Sequence, residues 1–186
     1  MAGTLVCVVG PSGAGKDSVI AAARALLGDD DRVVFARRVV TRPADAGGED
    51  HLSITPENFV RLRDAGGLAL SWEAHGIAYG IPAAVVAELE QGRAVVANVS
   101  RTAIPAARAG YNALVVEITA DPQVLARRLA GRGRETAEDI ASRLARATAV
   151  PVEADETIVN DGDLAEAAQA CAAILKRAWT IGPQHG

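Results

Sequence analysis

The clearest chemical pattern in the chain is the stretch GPSGAGKDS at residues 10–18, which follows a short apolar run. It satisfies the pattern G-x-x-x-x-G-K-[ST] at Gly10, Gly15 and Lys16 and departs from it only at the last position. In such a loop, backbone N–H groups and a helix N-terminus bind phosphate oxygens, and the lysine reaches the β- and γ-phosphates. The candidate ATP-binding residues of the loop are Gly10, Pro11, Ser12, Gly13, Ala14, Gly15, Lys16, Asp17 and Ser18.

Asp17 stands where the pattern places a magnesium-binding hydroxyl, and Ser18 supplies a hydroxyl one position later. Both are oxygen ligands, which Mg²⁺ prefers, and Mg²⁺ keeps several of its own waters in protein sites. We therefore expect ATP and Mg²⁺ as cofactors, with Asp17 and Ser18 as metal ligands either directly or through water. The alternative for Asp17 is an acid at a helix start that is stabilised by the helix dipole alone.

A second concentration of charge is the segment RRLAGRGRETAEDIASRLARA at residues 127–147. Planar guanidinium groups neutralise the charge that spreads over a transferring phosphoryl group, so this segment predicts a lid over the phosphates. For Arg127 and Arg146 we favour exposed helix arginines that pair with neighbouring acids. The candidate catalytic residues are Lys16, Arg132, Arg134 and Arg143.

Composition limits the classes of function. The chain has 186 residues, is 49% hydrophobic and 23% charged, and carries a net charge of -4, which argues against non-specific attraction to nucleic acid or an anionic membrane. No apolar run is long enough for a membrane span. We therefore predict a cytoplasmic protein without nucleic-acid or membrane partners, and a homodimer is left open.

Apolar runs alternate with helical patterns along the chain. Runs such as LVCVV, AVVANV and ALVVEI are typical of strands buried on both faces, and their alternation with helices predicts a three-layer α/β fold with a parallel sheet. Strands are expected at 4–9, 32–40, 93–99, 112–119 and 155–159. Helices are expected at 15–27, 56–65, 82–91, 101–109, 121–131, 137–149 and 163–179.

Residues 42–80 break this alternation and predict an inserted substrate-binding lobe. They contain a helix followed by the two runs LALSWEA and HGIAYGI. The chain is thus expected to form one domain over residues 1–180, with a core at 1–41 and 81–180, the lobe at about 42–80, a lid at about 128–146 and a flexible tail at 181–186.

With these features in place, the chain resembles the guanylate-kinase-like family of P-loop kinases over nearly its whole length. The resemblance rests on the loop, the basic segment, Thr41-Arg42, Trp72-Glu73 and Tyr79-Gly80. It implies a P-loop kinase-like fold with an acceptor site in the inserted lobe. The positions that read guanine in that family differ here, because they hold Asp45, Ser71 and Ile81.

Taken together, GPSGAGKDS, VTRPADAGGEDH, ALSWEAHG, NVSR and GRGRE are similar to the ribose 1,5-bisphosphate phosphokinases, whose loop also has Asp after Lys. This resemblance implies transfer of the γ-phosphate of ATP to the anomeric phosphate of ribose 1,5-bisphosphate, which gives 5-phosphoribosyl diphosphate in phosphonate breakdown. A phosphate acceptor is largely ionised at neutral pH, in keeping with a sequence that offers no convincing general base. The alternatives are a guanylate kinase and a non-catalytic binding module of the same family.

The resemblance also assigns the acceptor site. Arg42 would bind a substrate phosphate, and Asn98, beyond the third strand, would contact ribose or phosphate. Separately, Asn160 follows a strand at a position that borders the nucleotide base in doubly wound folds, although Asn-Asp-Gly turns are common. The candidate acceptor residues are Arg42, Glu49, Asp50, His51, Ser71, Tyr79, Asn98, Ser100 and Arg101.

Overall fold

The computed structural model describes residues 3–43, 50–74, 76–130 and 153–179. The strands are β1 (Thr4–Val9), β2 (Val33–Phe35), β3 (Val39–Val40), β4 (Leu52–Ser53), β5 (Leu68–Ala74), β6 (Ile77–Pro82), β7 (Ala94–Asn98), β8 (Ala113–Thr119) and β9 (Glu156–Val159). The helices are α1 (Lys16–Leu27), α2 (Pro56–Asp64), α3 (Val85–Glu90), α4 (Ile104–Gly110), α5 (Pro122–Ala130) and α6 (Leu164–Ala178), and a 3₁₀ turn, Arg101–Ala103, precedes α4.

The predicted parallel sheet is confirmed, with the strand order β2-β7-β1-β8-β9. The central strand β1 pairs in parallel with β7 and β8, so that Val6 lies opposite both Val96 and Leu114. All six residues of β1 are buried, because helices α1 and α6 cover one face and α3 and α4 pack against the other. Coverage of both faces explains the uninterrupted apolar runs in the sequence.

A second, four-stranded sheet has the order β4-β3-β6-β5. The runs LALSWEA and HGIAYGI supply an antiparallel pair, β5 and β6, in which Trp72 lies opposite Tyr79. The prediction of one strand over residues 32–40 is wrong, because β2 belongs to the parallel sheet and β3 to the second one. Ala36 makes the last hydrogen bond to β7, and Arg37 and Arg38 then line a cavity, which a continuous buried strand would not allow.

Local signals placed the helix starts well. Thr55 accepts a hydrogen bond from the backbone N–H of Asn58 at 3.3 Å, and Asp121 accepts one from Gln123 at 2.8 Å, as the Thr-Pro and Asp-Pro pairs predicted. The predicted helix at 137–149 and most of the predicted lid lie outside the described residues. The division into core, lobe and lid stays a prediction. Within the described residues, none of the helices has the length and apolar character needed to cross a membrane.

Candidate active site

The phosphate loop connects the carboxyl end of β1 to α1, at the edge of a parallel sheet where ligands bind in such folds. Gly10, Gly13 and Gly15 have φ values of 147°, 88° and 81°, which residues with a Cβ rarely adopt. At Gly10 the restriction is also steric, because a Cβ would overlap the carbonyl oxygen of Ile118 on β8. Glycine is therefore required by both the turn and the close approach of β8.

Helix α1 begins at Lys16, directly after the loop. Gly15 is the N-cap and has no side chain to cap the first N–H groups of the helix, so these donors are left to an anion. The Lys16 ammonium lies over the loop and donates to the carbonyl oxygens of Gly10 at 2.8 Å and Pro11 at 3.0 Å. The uncapped start of α1 and the Lys16 ammonium thus both lie at the loop, as the motif predicts.

Asn160 braces the loop from the end of β9. Its side-chain amide donates to the carbonyl oxygen of Ala14 at 2.8 Å, and the residue is only 4% exposed. A Cβ at Gly15 would lie 2.7 Å from the Asn160 Nδ2 atom. The sequence placed Asn160 beside the nucleotide base; in the structure its amide is in direct contact with the phosphate loop.

Arg128, which the sequence analysis did not assign, lies next to the same loop. Its Nη1 atom is 4.0 Å from the Cβ position at Gly15, and it is buried without a hydrogen-bond partner among the described residues. A buried guanidinium N–H without an acceptor is costly unless a ligand supplies one. The signal in the sequence was that Arg128 lies in the same basic segment as the candidates Arg132 and Arg134.

Asp17 is tied to the neighbouring strand. Its Oδ1 atom accepts a hydrogen bond of 2.6 Å from Asn98 Nδ2 at the end of β7, so two residues predicted from separate motifs are in contact. Asp17 and Ser18 are both exposed in the first turn of α1, and their oxygens fit a magnesium ion. No group of three His, Cys, Asp or Glu side chains gathers within the described residues, so the phosphates and water would supply most ligands.

Beside the loop lies a cavity of about 370 Å³, which we call the acceptor cavity. Asp17, Asp50 and Asn98 were predicted from the sequence as site residues, but the arginines of this cavity were not. The only signal for Arg37 and Arg38 was that they interrupt an apolar run. The lining residues are Asp17, Ile20, Ala21, Arg24, Phe35, Ala36, Arg37, Arg38, Asp50, Val96 and Asn98.

Arg42 follows β3 and has a buried Nε atom without a hydrogen-bond partner in the described part of the chain. Its carbonyl oxygen accepts from Ser53 Oγ at 2.8 Å and lies 3.3 Å from His51 Nε2. His51 is buried, so its ring positions the backbone of Arg42. An arginine held by its backbone, with an unused N–H, is suited to an anionic ligand.

Other candidates are held by protein partners or lie apart. Arg101 pairs with Glu117 at 3.0 Å, and Ser100 caps the 3₁₀ turn by accepting from the N–H of Thr102. Ser71 lies on the face of β5 opposite Trp72 and is exposed, so it is not among the cavity residues. Four candidates lie outside the described residues, namely Glu49, Arg132, Arg134 and Arg143.

Comparison with known proteins identifies the family. Residues 2–178 match the family described as guanylate kinase. The chain is 51% identical over 175 residues to the ribose 1,5-bisphosphate phosphokinase PhnN of Acidiphilium cryptum, covering 94% of this chain and 93% of that one. It is 54% identical over 162 residues to the ribose 1,5-bisphosphate phosphokinase PhnN of Rhodopseudomonas palustris, and the match covers 87% of this chain and 82% of that one.

A solved structure agrees on the fold. The guanylate kinase of Anaplasma phagocytophilum superposes with a TM-score of 0.72 at 21% identity and covers 97% of this chain and 88% of that one. At this identity the likeness concerns the fold alone. The chain therefore belongs to the guanylate kinase family of P-loop kinases and, within it, to the group of relatives named ribose 1,5-bisphosphate phosphokinase.

Proposed function

We propose that the protein transfers the γ-phosphoryl group of ATP to the anomeric phosphate of ribose 1,5-bisphosphate and so forms 5-phospho-α-D-ribose 1-diphosphate. The observation that carries this proposal is the identity of 51% over nearly the full length of a relative with that name. The phosphate loop supports it, because its glycines have the backbone conformation that such a loop needs, and Lys16 and Asn160 contact the loop.

In the reaction, an oxygen of the acceptor phosphate forms a bond to the γ-phosphorus while the bond from that phosphorus to the β–γ bridging oxygen breaks, and ADP leaves. The loop N–H groups and Lys16 hold the β- and γ-phosphates, and Arg128 donates to the phosphate oxygens from the other side of Gly15. We assign Arg132, Arg134 and Arg143 to a lid that adds positive charge. Mg²⁺ with Asp17 or Ser18 as ligand would neutralise phosphate charge.

A phosphate acceptor removes the need for a general base. The second pKa of a phosphate ester is near 6, so the attacking oxygen is already ionised at neutral pH. The described histidine, His51, is buried beside the carbonyl oxygen of Arg42 and is not placed to take a proton from an acceptor. Positioning and charge neutralisation are then the main tasks of the site.

For the acceptor we retain Arg42, with its unused Nε atom, as the residue that binds the reacting phosphate. Asn98 and Tyr79 each contact Arg38 and would contact the sugar. Arg101, which follows β7 at the same edge of the sheet, would donate a hydrogen bond to the ligand while it stays paired with Glu117. We also retain Glu49, Asp50, His51, Ser71 and Ser100 as candidate acceptor residues.

Guanylate is the second candidate acceptor, because the matched family is described as guanylate kinase. Ile81 opposes it, since this residue is completely buried and offers no hydrogen bond to a base. A site without polar partners disfavours the base, because the polar groups of the base would lose water without gaining hydrogen bonds. A non-catalytic binding module is opposed by the intact loop.

The test is ADP release with ribose 1,5-bisphosphate, GMP, AMP and gluconate in parallel, each with magnesium and with Lys16→Met as the inactive control. We expect turnover with ribose 1,5-bisphosphate at least about 100-fold faster than with the others, since unmatched polar groups cost that much. A preference for GMP would replace the proposal, and failure to bind ATP would favour the binding module.

The cellular setting follows as part of this proposal. We propose that the protein acts in the cytoplasm as an ATP-dependent kinase of a small phosphorylated sugar, without nucleic-acid or membrane partners. We assign its product to phosphonate breakdown; a deletion strain grown on a phosphonate as phosphorus source should then accumulate ribose 1,5-bisphosphate. Light scattering decides whether the protein is a homodimer.

A further inference from the structure

The acceptor cavity contains more positive charge than the chain as a whole. Three arginines, Arg24, Arg37 and Arg38, line it against two carboxylates, Asp17 and Asp50, whereas the protein has a net charge of -4. Local clusters of this kind bind anions even in an acidic protein, because a concave site with low-dielectric walls focuses the field. None of the three arginines belongs to the phosphate loop or to the predicted lid.

Arg38 is held by an aromatic ring and by a hydrogen bond. Its guanidinium carbon lies 5.1 Å from the ring centre of Tyr79, which itself stacks on Trp72 at 5.6 Å with an interplanar angle of 6°. Arg38 Nη1 also donates to the carbonyl oxygen of Asn98 at 3.2 Å. Stacking on an aromatic face holds the guanidinium plane in one orientation, so less entropy is lost when an anion binds.

Arg24 and Arg37 face the same cavity from two other segments. The Arg24 guanidinium lies 5.4 Å from the ring centre of Phe35, and no carboxylate of the described residues pairs with it. Arg37 donates to Asp50 at 2.6 Å and to the carbonyl oxygen of His51 at 3.3 Å. Arg24 thus offers charge to an incoming anion, and Arg37 connects the site to the segment that follows β3.

Position along α1 separates Arg24 from the reacting phosphates. Asp17 and Arg24 lie on one helix seven residues apart, which is about 10 Å along its axis. Asp17 follows Lys16 directly, so one end of the cavity adjoins the triphosphate site and Arg24 marks a more distant part. The volume of about 370 Å³ lies in the range of small-ligand sites.

Building on the proposed function, we infer that Arg24 and Arg38, with Arg37 in support, bind the phosphate of the acceptor that is not phosphorylated, the one on the 5-carbon. The two ends of a pentose bisphosphate would then be held by different arginines. Arg42 and the phosphate loop hold the reacting end, and the acceptor cavity holds the other. The enzyme would select a doubly phosphorylated sugar by this second anchor, in place of a base-reading pocket.

Calorimetry with ribose 5-phosphate tests this inference without any catalytic step, because that sugar carries only the phosphate in question. Charge-assisted hydrogen bonds are stronger than neutral ones, so Arg38→Gln and Arg24→Gln should each weaken binding by about tenfold or more. Free ribose should bind too weakly to measure. The matched control is Arg63→Gln, on the exposed surface of α2, which should leave affinity unchanged within twofold.

The outcomes separate the two proposals. Unchanged ribose 5-phosphate affinity in both Gln variants, or a loss caused only by Arg42→Gln, would overturn the assignment of the cavity whatever the turnover data show. Turnover of ribose 1,5-bisphosphate by the wild type would still support the proposed function. If Arg38→Gln does not fold, the exposed Arg24→Gln decides, and Arg38→Lys should retain part of the affinity because the charge remains.

Kinetics give a second readout. With ribose 1,5-bisphosphate as acceptor, the Gln variants should raise the KM for the sugar about tenfold and leave the KM for ATP within twofold. With ribose 1-phosphate, which lacks the 5-phosphate, the same variants should show little further loss. Equal losses with the two sugars would contradict a role in binding the 5-phosphate.

Discussion

The phosphate loop and the acceptor cavity adjoin each other at Asp17 but are built in different ways. The loop consists of nine consecutive residues, 10–18, and works mainly through backbone N–H groups. The cavity is lined by side chains from α1, β2, β7, the turn after β2 and residue 50, which are far apart in sequence.

This difference explains how each region tolerates change. A backbone site constrains sequence wherever glycine is required and at the single lysine, and it produces a motif at constant spacing. A side-chain site only needs charges at the right places in space, which can come from many segments. Changes in the loop should therefore affect every acceptor, whereas changes in the cavity should affect acceptors selectively.

The largest effect is expected at Lys16. Lys16→Met removes the ammonium that reaches the transferring phosphoryl group, so kcat/KM should fall about 100- to 1,000-fold with any acceptor, the cost typical of one lost transition-state donor. Steady-state ADP release with ribose 1,5-bisphosphate and with GMP measures this. A fall limited to one acceptor would break the comparison, because it would place Lys16 in the acceptor site.

The next effect is expected from Gly15→Ala, which combines a left-handed φ of 81° with a Cβ 2.7 Å from Asn160 Nδ2. The loop must shift, and ATP affinity should fall by about tenfold or more, corresponding to roughly 1–3 kcal/mol of strain. Gly28→Ala is the matched control, since its φ is 59° but no atom lies within 4 Å of the added Cβ. It should cost about 1–3 kcal/mol of stability and leave ATP affinity unchanged.

A smaller effect is expected where the two regions meet. Asn98→Ala releases the Asp17 carboxylate from its 2.6 Å hydrogen bond, so the KM for the sugar should rise about three- to tenfold, which corresponds to the net loss of one hydrogen bond of about 1 kcal/mol. A double-mutant cycle with Asp17→Ala should show non-additive losses. Additive losses would mean that the loop and the cavity work independently. In a separate measurement, an unchanged magnesium dependence of the Asp17→Ala variant would exclude Asp17 as a metal ligand.

The smallest effect concerns the thiols, one on each face of the parallel sheet. Burial raises the pKa of Cys7 to about 12 and that of Cys171 to about 11, above the ordinary value of 9.0. At pH 8 neither thiol should react with iodoacetamide in the native protein, and both should react after unfolding. Because folding disfavours the thiolate, stability should be unaffected below about pH 9 and should fall as the pH rises beyond it. Rapid labelling of either thiol in the native protein would contradict this prediction, because it would show that the core around that thiol opens.

Much of the fold could be predicted because its signals are local. The apolar runs predicted β1, β7 and β8, and Thr55 and Asp121 marked helix starts with their own side chains. The division of residues 32–40 between two sheets could not be predicted. It depends on where the chain leaves the edge of β7, and both halves of that stretch have the same apolar character.

The candidate site divides in the same way. The sequence alone determined the phosphate loop, because glycines and a lysine at constant spacing create a binding surface from neighbouring atoms of one turn. Only the tertiary structure decided that Asn98 meets Asp17, that Asn160 and Arg128 lie against Gly15, and that three arginines share a cavity. Their proximity arises from the parallel order of the strands and the packing of α1 and α5, and no spacing along the chain records it.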